Sequence, residues 1–142
     1  MPDTSCMIAA VCAWHERHGA AADEIARRFR SAEAMLIAAP TLIESYAVLT
    51  RLPPPHRMAP EIALQIIEES FVDHGRLIAL DGRSYRTLVH RLAGTQITGG
   101  RAYDAVIAEC ALRERGVTLL TFNERDFTPF TARGLAIVVP GR

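Results

Sequence analysis

Residues 99–127 read GGRAYDAVIAECALRERGVTLLTFNERDF, and this stretch decides the fold. Its spacing predicts a helix over residues 101–115, then a turn, a buried strand VTLLTF and a short helical turn. Asp104 lies in the first turn of the helix, and Asn123 directly follows the strand. A carboxylate at a helix start either interacts favourably with the helix dipole or belongs to a functional site. The positions of the other acidic residues are needed to choose between these roles.

The same alternation of helices and short apolar strands extends along the whole chain. The further helices are expected at 5–19, 21–34, 41–52, 61–75 and 82–94, and the further strands at 35–40, 76–80 and 136–140. Strands that are apolar throughout predict an α/β fold with a mainly parallel sheet covered on both faces. The proline-rich segment 52–60 is too short for a domain linker, so we expect residues 1–142 to form a single domain.

The composition is that of a globular protein, with 49% hydrophobic residues, 23% charged residues and a formal net charge of zero. Any anionic ligand, including a nucleic acid, must therefore be held by local groups. All sixteen basic residues are arginines, and the lack of lysine excludes a phosphate-binding loop and Schiff-base chemistry. It also argues against a receiver-like domain with Asp81 as the phosphoacceptor. No apolar run approaches the roughly 20 residues that cross a bilayer, so no membrane association is expected.

The three cysteines, Cys6, Cys12 and Cys110, lie among apolar residues and lack the spacing of a metal or redox motif. Buried, reduced cysteines are typical of cytoplasmic proteins, and the N-terminus shows no secretory signal. We therefore expect a cytoplasmic location.

Five polar residues lie where the carboxyl ends of parallel strands could bring them together: Asp3, Glu44, Asp104, Asn123 and Asp126. Clustered carboxylates repel one another, which raises their pKa values unless a cation is present. Oxygen ligands suit Mg²⁺ or Mn²⁺, and such an ion can activate water and stabilise the charge on a phosphoryl group.

Each of these residues also has a purely structural interpretation, and spacing alone does not choose between the two. Asp3 and Asn123 suit helix N-caps, and Asp104 suits the helix dipole. Thr41 and Glu44 have the spacing of a capping box, in which Glu44 would serve only the backbone. Asp126 would then be a solvated surface acid.

Four motifs follow one another along the chain: Asp3-Thr4-Ser5, Thr41-Leu42-Ile43-Glu44 with Leu49 and Arg51, Gly99-Gly100-Arg101-Ala102-Tyr103-Asp104-Ala105, and Leu119-Leu120-Thr121-Phe122-Asn123-Glu124-Arg125-Asp126-Phe127. Together they resemble the motifs of PIN-domain proteins, specifically the VapC-type toxins of bacterial toxin–antitoxin pairs. The resemblance implies a three-layer α/β/α sandwich with a mainly parallel sheet of about five strands. It also implies a Mg²⁺-dependent endoribonuclease, a small VapB-type antitoxin as partner, and a homodimer.

The resemblance assigns roles to the acidic residues. Asp3, Glu44 and Asp104 correspond to the first three members of a cluster that binds Mg²⁺, with Mn²⁺ as a possible substitute. Asn123 falls at the fourth position, and Asp126 is an alternative for it. Neighbouring hydroxyl groups would come from Thr4, Ser5 and Thr121.

The sequence departs from the family pattern at two places. Asn123 is neutral, so a second metal would bind weakly unless Asp126 compensates. Only Met1 and Pro2 precede Asp3, where the family has a full apolar strand in the centre of the sheet. We therefore expect either a shortened first strand or a native start upstream of Met1.

Basic and aromatic residues give weaker indications. Arg101 is the arginine nearest in sequence to Asp104 and is expected to hold the RNA, whereas Arg86, Arg91 and Arg125 are more typical of a solvated surface. We interpret Trp14 as a core residue, rather than as a stacking group. His15 and His18 are interpreted as exposed histidines rather than as metal ligands.

A non-catalytic function is the main alternative. A shortened first strand or the neutral Asn123 would reduce metal affinity, and the scaffold would then act as an antitoxin-binding module. The two hypotheses differ in whether Mg²⁺ raises the melting temperature, because a ligand that binds only the folded state stabilises it.

Overall fold

The computed structural model describes residues 1–142 as seven α-helices, four short strands and one 3₁₀ turn. The helices are α1 Thr4–Val11, α2 His18–Arg30, α3 Ala39–Arg51, α4 Pro60–Ser70, α5 Gly82–Gly94, α6 Arg101–Leu112 and α7 Glu124–Thr131. The strands are β1 Met35–Ala38, β2 Gly75–Ile78, β3 Thr118–Leu120 and β4 Ala136–Val138, and the 3₁₀ turn is Val72–His74. The predicted alternation of helices and strands is confirmed.

The strands form two parallel pairs rather than one sheet of five. β1 pairs with β2, and β3 pairs with β4. The expected first strand is reduced to a single parallel bridge between Pro2 and Leu120. Its hydrogen bonds come from the neighbours of Pro2: the carbonyl of Met1 accepts from Leu120 at 2.8 Å, and the N–H of Asp3 donates to Leu120 at 2.9 Å. Pro2 has no N–H with which to extend the ladder from its other edge.

A cavity of about 350 Å³ lies between the two strand pairs at the start of the chain. Met1 and Pro2 form one wall, Leu36 and Leu120 come from β1 and β3, and Phe29 comes from α2. None of the candidate site residues lines it. The cavity therefore lies beside the bridge of Pro2 to Leu120, between β1 and β3.

The strand β1 is covered on both faces, as the layered fold requires. Leu36 and Ala38 belong to the main core cluster, which also contains Ile107 of α6. Ile37, between them, instead packs with Met7 of α1 in a separate cluster. Successive side chains of a strand point to opposite faces, so helices lie on each side of β1. The continuously apolar sequence of this strand follows from that double burial.

The prediction of one helix over residues 5–19 is wrong, because α1 ends at Val11 and α2 begins at His18. The chain is extended at Cys12. Side chains then bond to the backbone: the N–H of Arg17 donates to His15 Nδ1 at 3.1 Å, and His18 Nδ1 lies 3.0 Å from the carbonyl oxygen of Ala9. Such local bonds compete with helix continuation, and apolar periodicity does not reveal them.

Gly75 marks a close approach of β2 to its neighbours. A Cβ at this position would lie 2.6 Å from Ile37 Cδ1 and 2.9 Å from the carbonyl oxygen of Phe71. Because a backbone oxygen cannot turn aside, Gly75→Ala should destabilise the fold by about 1–3 kcal/mol. Gly94→Ala is the matched control, since nothing lies within 4 Å of its added Cβ, and it should be neutral or stabilising. Urea denaturation of both variants measures the difference; equal midpoints would contradict the packing argument.

Candidate active site

Asp3 is almost completely buried, with 2% of its surface exposed, and both oxygens of its carboxylate accept hydrogen bonds. It caps α1, because Oδ1 accepts from the N–H of Cys6 at 2.9 Å. The same oxygen accepts from the hydroxyl of Ser5 at 2.7 Å, and Oδ2 accepts from the hydroxyl of Thr121 at 2.5 Å. Burial raises the pKa of Asp3, and these three donors oppose that rise. The N-cap interpretation is confirmed, but capping uses only one of the three contacts.

The two hydroxyls that donate to Asp3 also hold the turn after β3. Ser5 Oγ accepts from the N–H of Phe122 at 3.0 Å, and Thr121 Oγ1 accepts from the N–H of Asn123 at 2.8 Å. Each hydroxyl therefore links one carboxylate oxygen of Asp3 to one backbone amide of the turn. A residue at the start of the chain thus fixes a loop more than a hundred positions away.

The capping-box interpretation of Glu44 is wrong. The helix α3 begins at Ala39, two residues before Thr41, and the hydroxyl of Thr41 donates to the carbonyl of Ala38 at 2.7 Å. Glu44 is exposed and serves no backbone group; its Oε2 accepts from the hydroxyl of Thr4 at 2.5 Å. Thr4 directly follows Asp3, so this bond ties Glu44 to the start of α1.

Asp104 shows that the acidic residues converge. Its pKa is raised to about 6, first by burial and then by the negative charges of Asp126, Glu44 and Asp3, while Arg101 opposes the rise. A residue that served only the helix dipole would have a lowered pKa. The opposite shift means that burial, together with repulsion from the three other carboxylates, outweighs the dipole. The four acids therefore share one region of the molecule.

Asn123 and Asp126 lie on the same side of this region. Asn123 is exposed and precedes α7, yet its side chain makes no capping hydrogen bond. Asp126 lies in the first turn of α7, half-exposed, with its Oδ1 3.6 Å from Arg101 Nε. Asn123 therefore has a free amide oxygen, and Asp126 supplies a negative charge that acts on Asp104.

The donor set fits a hard divalent cation in charge and in chemistry. Every candidate ligand is a carboxylate or amide oxygen, and the mutual repulsion at Asp104 is what a bound cation would relieve. No three acidic, histidine or cysteine side chains are gathered closely enough to hold an ion as they stand. Metal binding therefore requires the half-exposed and exposed carboxylates to draw closer together.

The model of the PIN-domain family matches residues 1–130. The chain belongs to this family. It is 39% identical over 124 residues to ribonuclease VapC40 of Mycobacterium tuberculosis, covering 87% of this chain and 86% of that protein. It is 35% identical over 137 residues to ribonuclease VapC27 of the same organism, covering 96% and 93%. The PIN domain described here is thus of the VapC type.

A solved structure confirms the fold of this PIN domain. The crystal structure of M. tuberculosis VapC20, described as a sarcin-ricin-loop-cleaving toxin, superposes with a TM-score of 0.69 and covers 98% of both chains. The sequence identity is 20%, so the likeness extends to the fold alone. None of the helices of this PIN domain is both long and apolar enough to span a membrane.

Of the remaining predicted residues, only Arg101 lies at the acidic site. Its half-exposed side chain forms the ion pair with Asp126, whereas Arg91 is held in an ion pair with Glu109. Asp81 caps α5 by accepting from the N–H of Ser84 at 2.7 Å, which lowers its pKa. A phosphoacceptor role for Asp81 has no support from this geometry. Three residues match their predictions as buried thiols without partners: Cys6, Cys12 and Cys110.

The prediction for Trp14 is wrong. Its side chain is not in the core, since the residue is 48% exposed, and its ring stacks on His56 with the ring centres 4.1 Å apart. The histidines expected to be exposed, His15 and His18, are half-buried. His56 comes from the proline-rich segment more than forty residues away, and no periodicity in the sequence links it to Trp14. The sequence also did not predict the contact of the Arg17 guanidinium with the ring of Phe122, 4.9 Å from its centre, because the two residues are far apart in the chain.

Proposed function

We propose that this PIN domain is a divalent-metal-dependent endoribonuclease and the toxin of a VapB–VapC pair. The observation that carries the proposal is the convergence of Asp3, Glu44 and Asp126 on Asp104, in a chain similar to two proteins named as ribonucleases. Carboxylates that repel one another, with only the long ion pair between Arg101 and Asp126 to offset the repulsion, are the expected form of a magnesium site before the ion binds.

The chain offers ligands of two kinds. Asp104 and Glu44 are accessible carboxylates that can bind an ion directly, and the buried Asp3 accepts only one hydrogen bond at Oδ2, which leaves a lone pair of that oxygen for an ion. Asn123 and Asp126 are candidates for the fourth ligand. A Mg²⁺ ion held by these ligands would supply Lewis-acid chemistry to the scissile phosphate and would lower the pKa of the attacking water.

The other residues of the site orient the metal ligands and neutralise the charge of the RNA phosphate. Thr4 holds Glu44 by a hydrogen bond, and Ser5 and Thr121 hold the turn that carries Asn123. Arg101 is partly exposed beside the acids and can pair with a phosphate oxygen of the RNA. Positioning and charge stabilisation of this kind account for most of the catalysis expected of a phosphodiesterase. Attack in line with the leaving oxygen leaves a 5′-phosphate on the product.

The partner proposals follow from the relatives and from the surface. We propose that residues 1–142 act as one cytoplasmic domain that binds RNA and a VapB-type antitoxin and forms a homodimer. Several apolar side chains are exposed on the helices, among them Ile43 of α3 at 74% and Tyr103 of α6 at 67%. Exposed apolar residues of this size support a protein-binding surface.

The test of the function is cleavage of a mixture of transfer and ribosomal RNA by the purified chain. We expect discrete cuts with Mg²⁺ or Mn²⁺, none with EDTA, and 5′-phosphate ends on the products. A folded chain that binds a VapB-type antitoxin and leaves RNA intact under all metal conditions would support the non-catalytic binding module instead.

The pH dependence of metal binding follows from Asp104. Its folded pKa, about 6, lies above the ordinary value of 3.8, so the fold without metal loses stability as the pH rises from about 4 through 6. Metal binding needs the ionised carboxylate and therefore strengthens over the same range. At about a hundred times its dissociation constant, Mg²⁺ should add about 2.7 kcal/mol at neutral pH and much less at pH 5. Melting curves at pH 5 and pH 7.5, with Mg²⁺ or EDTA, measure this; an equal Mg²⁺ shift at both values would contradict it.

A further inference from the structure

Trp14 is the only tryptophan of the chain, and it lies in the irregular segment between α1 and α2. One face of its ring is stacked on His56 with an interplanar angle of 28°. The ring of His15 lies tilted beside it, with centres 6.0 Å apart. Nearly half of the tryptophan remains exposed. The stack on His56 fixes the orientation of a large aromatic surface that is accessible to a ligand.

A cationic contact in the same segment connects this aromatic group to the acidic site. Arg17, three residues after Trp14, places its guanidinium 4.9 Å from the centre of the Phe122 ring. The backbone N–H of Phe122 donates to Ser5, which in turn donates to Asp3. The segment that carries Trp14 therefore packs against the turn that presents Asn123.

Charge and exposure at these positions favour a nucleic acid over a protein partner. The only acidic partner of Arg17 is Glu16 at 3.5 Å, and both side chains are open to solvent, so the guanidinium can exchange this ion pair for a phosphate. The exposed aromatic surface consists of the ring of Trp14, with Arg17 three residues further along the same segment. Aromatic rings beside arginine are the usual contacts of unpaired bases, because each base has a face that stacks regardless of its identity.

We propose that Trp14 and His56, together with Arg17 and Phe122, form a stacking platform for unpaired bases of single-stranded RNA that flank the cleavage position. The inference rests on the proposed ribonuclease function. Asp3 caps the first turn of α1, whereas Trp14 lies beyond its last, and an eight-residue helix is about 12 Å long. Trp14 therefore engages bases at a distance from the scissile phosphate, whereas Phe122 lies beside Asn123, and the ring of Trp14 affects RNA binding rather than the chemical step.

The single tryptophan provides a direct probe. The full chain carrying Asp104→Asn is titrated with a single-stranded oligoribonucleotide in EDTA, so that no cleavage occurs, and the fluorescence of Trp14 is followed. We expect saturable quenching by the single strand and little quenching by a duplex of the same sequence. Trp14→Ala, followed by anisotropy of a labelled oligonucleotide, should weaken binding by about 5- to 100-fold. Trp14→Phe keeps a stacking ring and should recover most of the affinity.

Tyr85→Ala is the matched control, because Tyr85 is an exposed aromatic residue of α5 outside the platform. It should leave RNA affinity unchanged. In the cleavage-competent chain, Trp14→Ala should raise KM and leave kcat within about twofold, which loss of structure would not produce. Absence of quenching together with an unchanged KM would overturn the platform and leave this surface to a protein partner. The two proposals fail separately: metal-dependent cleavage without Trp14 quenching removes only the platform, and quenching without cleavage removes only the nuclease.

Discussion

Asp104→Asn is expected to lower the rate of RNA cleavage by about 100-fold or more while the protein stays folded. Asp104 is the residue on which the charges of Asp126, Glu44 and Asp3 converge, and it is accessible enough to bind an ion. An amide of the same shape removes the negative charge without removing volume. The expected loss is in kcat/KM, measured in Mg²⁺ with a defined RNA substrate.

The same substitution should stabilise the metal-free protein. The rise in the pKa of Asp104 from 3.8 to about 6 corresponds to about 3 kcal/mol of unfavourable charge at neutral pH. Because the carboxyl is only half-buried, solvent screening reduces this to about 1 kcal/mol. Denaturation in EDTA should therefore show a small gain in stability, and added Mg²⁺ should stabilise the variant less than the wild type.

Asp23→Asn is the control for Asp104→Asn, since Asp23 is an exposed carboxylate on α2 away from the acidic site. It should change neither cleavage nor stability by a measurable amount. Wild-type activity in a folded Asp104→Asn protein would show that Asp104 is a helix-start residue only. The catalytic groups would then have to lie elsewhere in the chain, whereas absence of cleavage by the folded wild type would favour the non-catalytic alternative.

Asp3→Ala is expected to have the largest effect on stability of any single change at the site, a loss of about 2–4 kcal/mol. The substitution removes the N-cap of α1 and leaves the buried hydroxyl of Thr121 without its acceptor. It also releases the turn that Ser5 and Thr121 hold through Phe122 and Asn123. Activity should fall as well, because Asn123 is no longer fixed.

Urea denaturation compares this variant with Asp126→Ala, which removes a half-exposed carboxylate whose ion pair with Arg101 is long. The control should change stability by at most about 0.5 kcal/mol. Similar losses for the two variants would show that the hydrogen bonds around Asp3 do not organise the turn. A large loss at Asp3 alone would establish that this residue supports the fold as well as the site.

The parts of the fold that could be predicted are those governed by local pattern. The helix through Asp104 and the strand that follows it were recognisable because apolar periodicity changes at a glycine with positive φ, Gly116. The break between α1 and α2 could not be recognised in the sequence. Apolar residues continue to Trp14, and the helix is interrupted where His15 and His18 form hydrogen bonds to the backbone. The division of the strands into two pairs could not be predicted either, because it depends on which strands pair across distant parts of the chain.

The sequence predicted which acidic residues form the site better than it predicted the contacts that position them. The resemblance to PIN-domain proteins indicated which acids belong together, and the negative charges of Asp126, Glu44 and Asp3 each raise the pKa of Asp104 after burial. Sequence spacing alone could not decide whether Glu44 is a capping residue, because a capping box and a carboxylate one turn into a helix share the same pattern. The stack of Trp14 on His56 joins distant segments, and no local signal reports such a contact.

The rate of RNA cleavage by the wild-type chain in Mg²⁺, measured against the same chain in EDTA and against Asp104→Asn, tests the central claim most directly. We predict metal-dependent cleavage that is lost both on chelation and in the variant, with melting curves showing that each sample remains folded. Cleavage that continues at the same rate in EDTA, or equally in Asp104→Asn, would contradict a metal-dependent nuclease centred on this carboxylate.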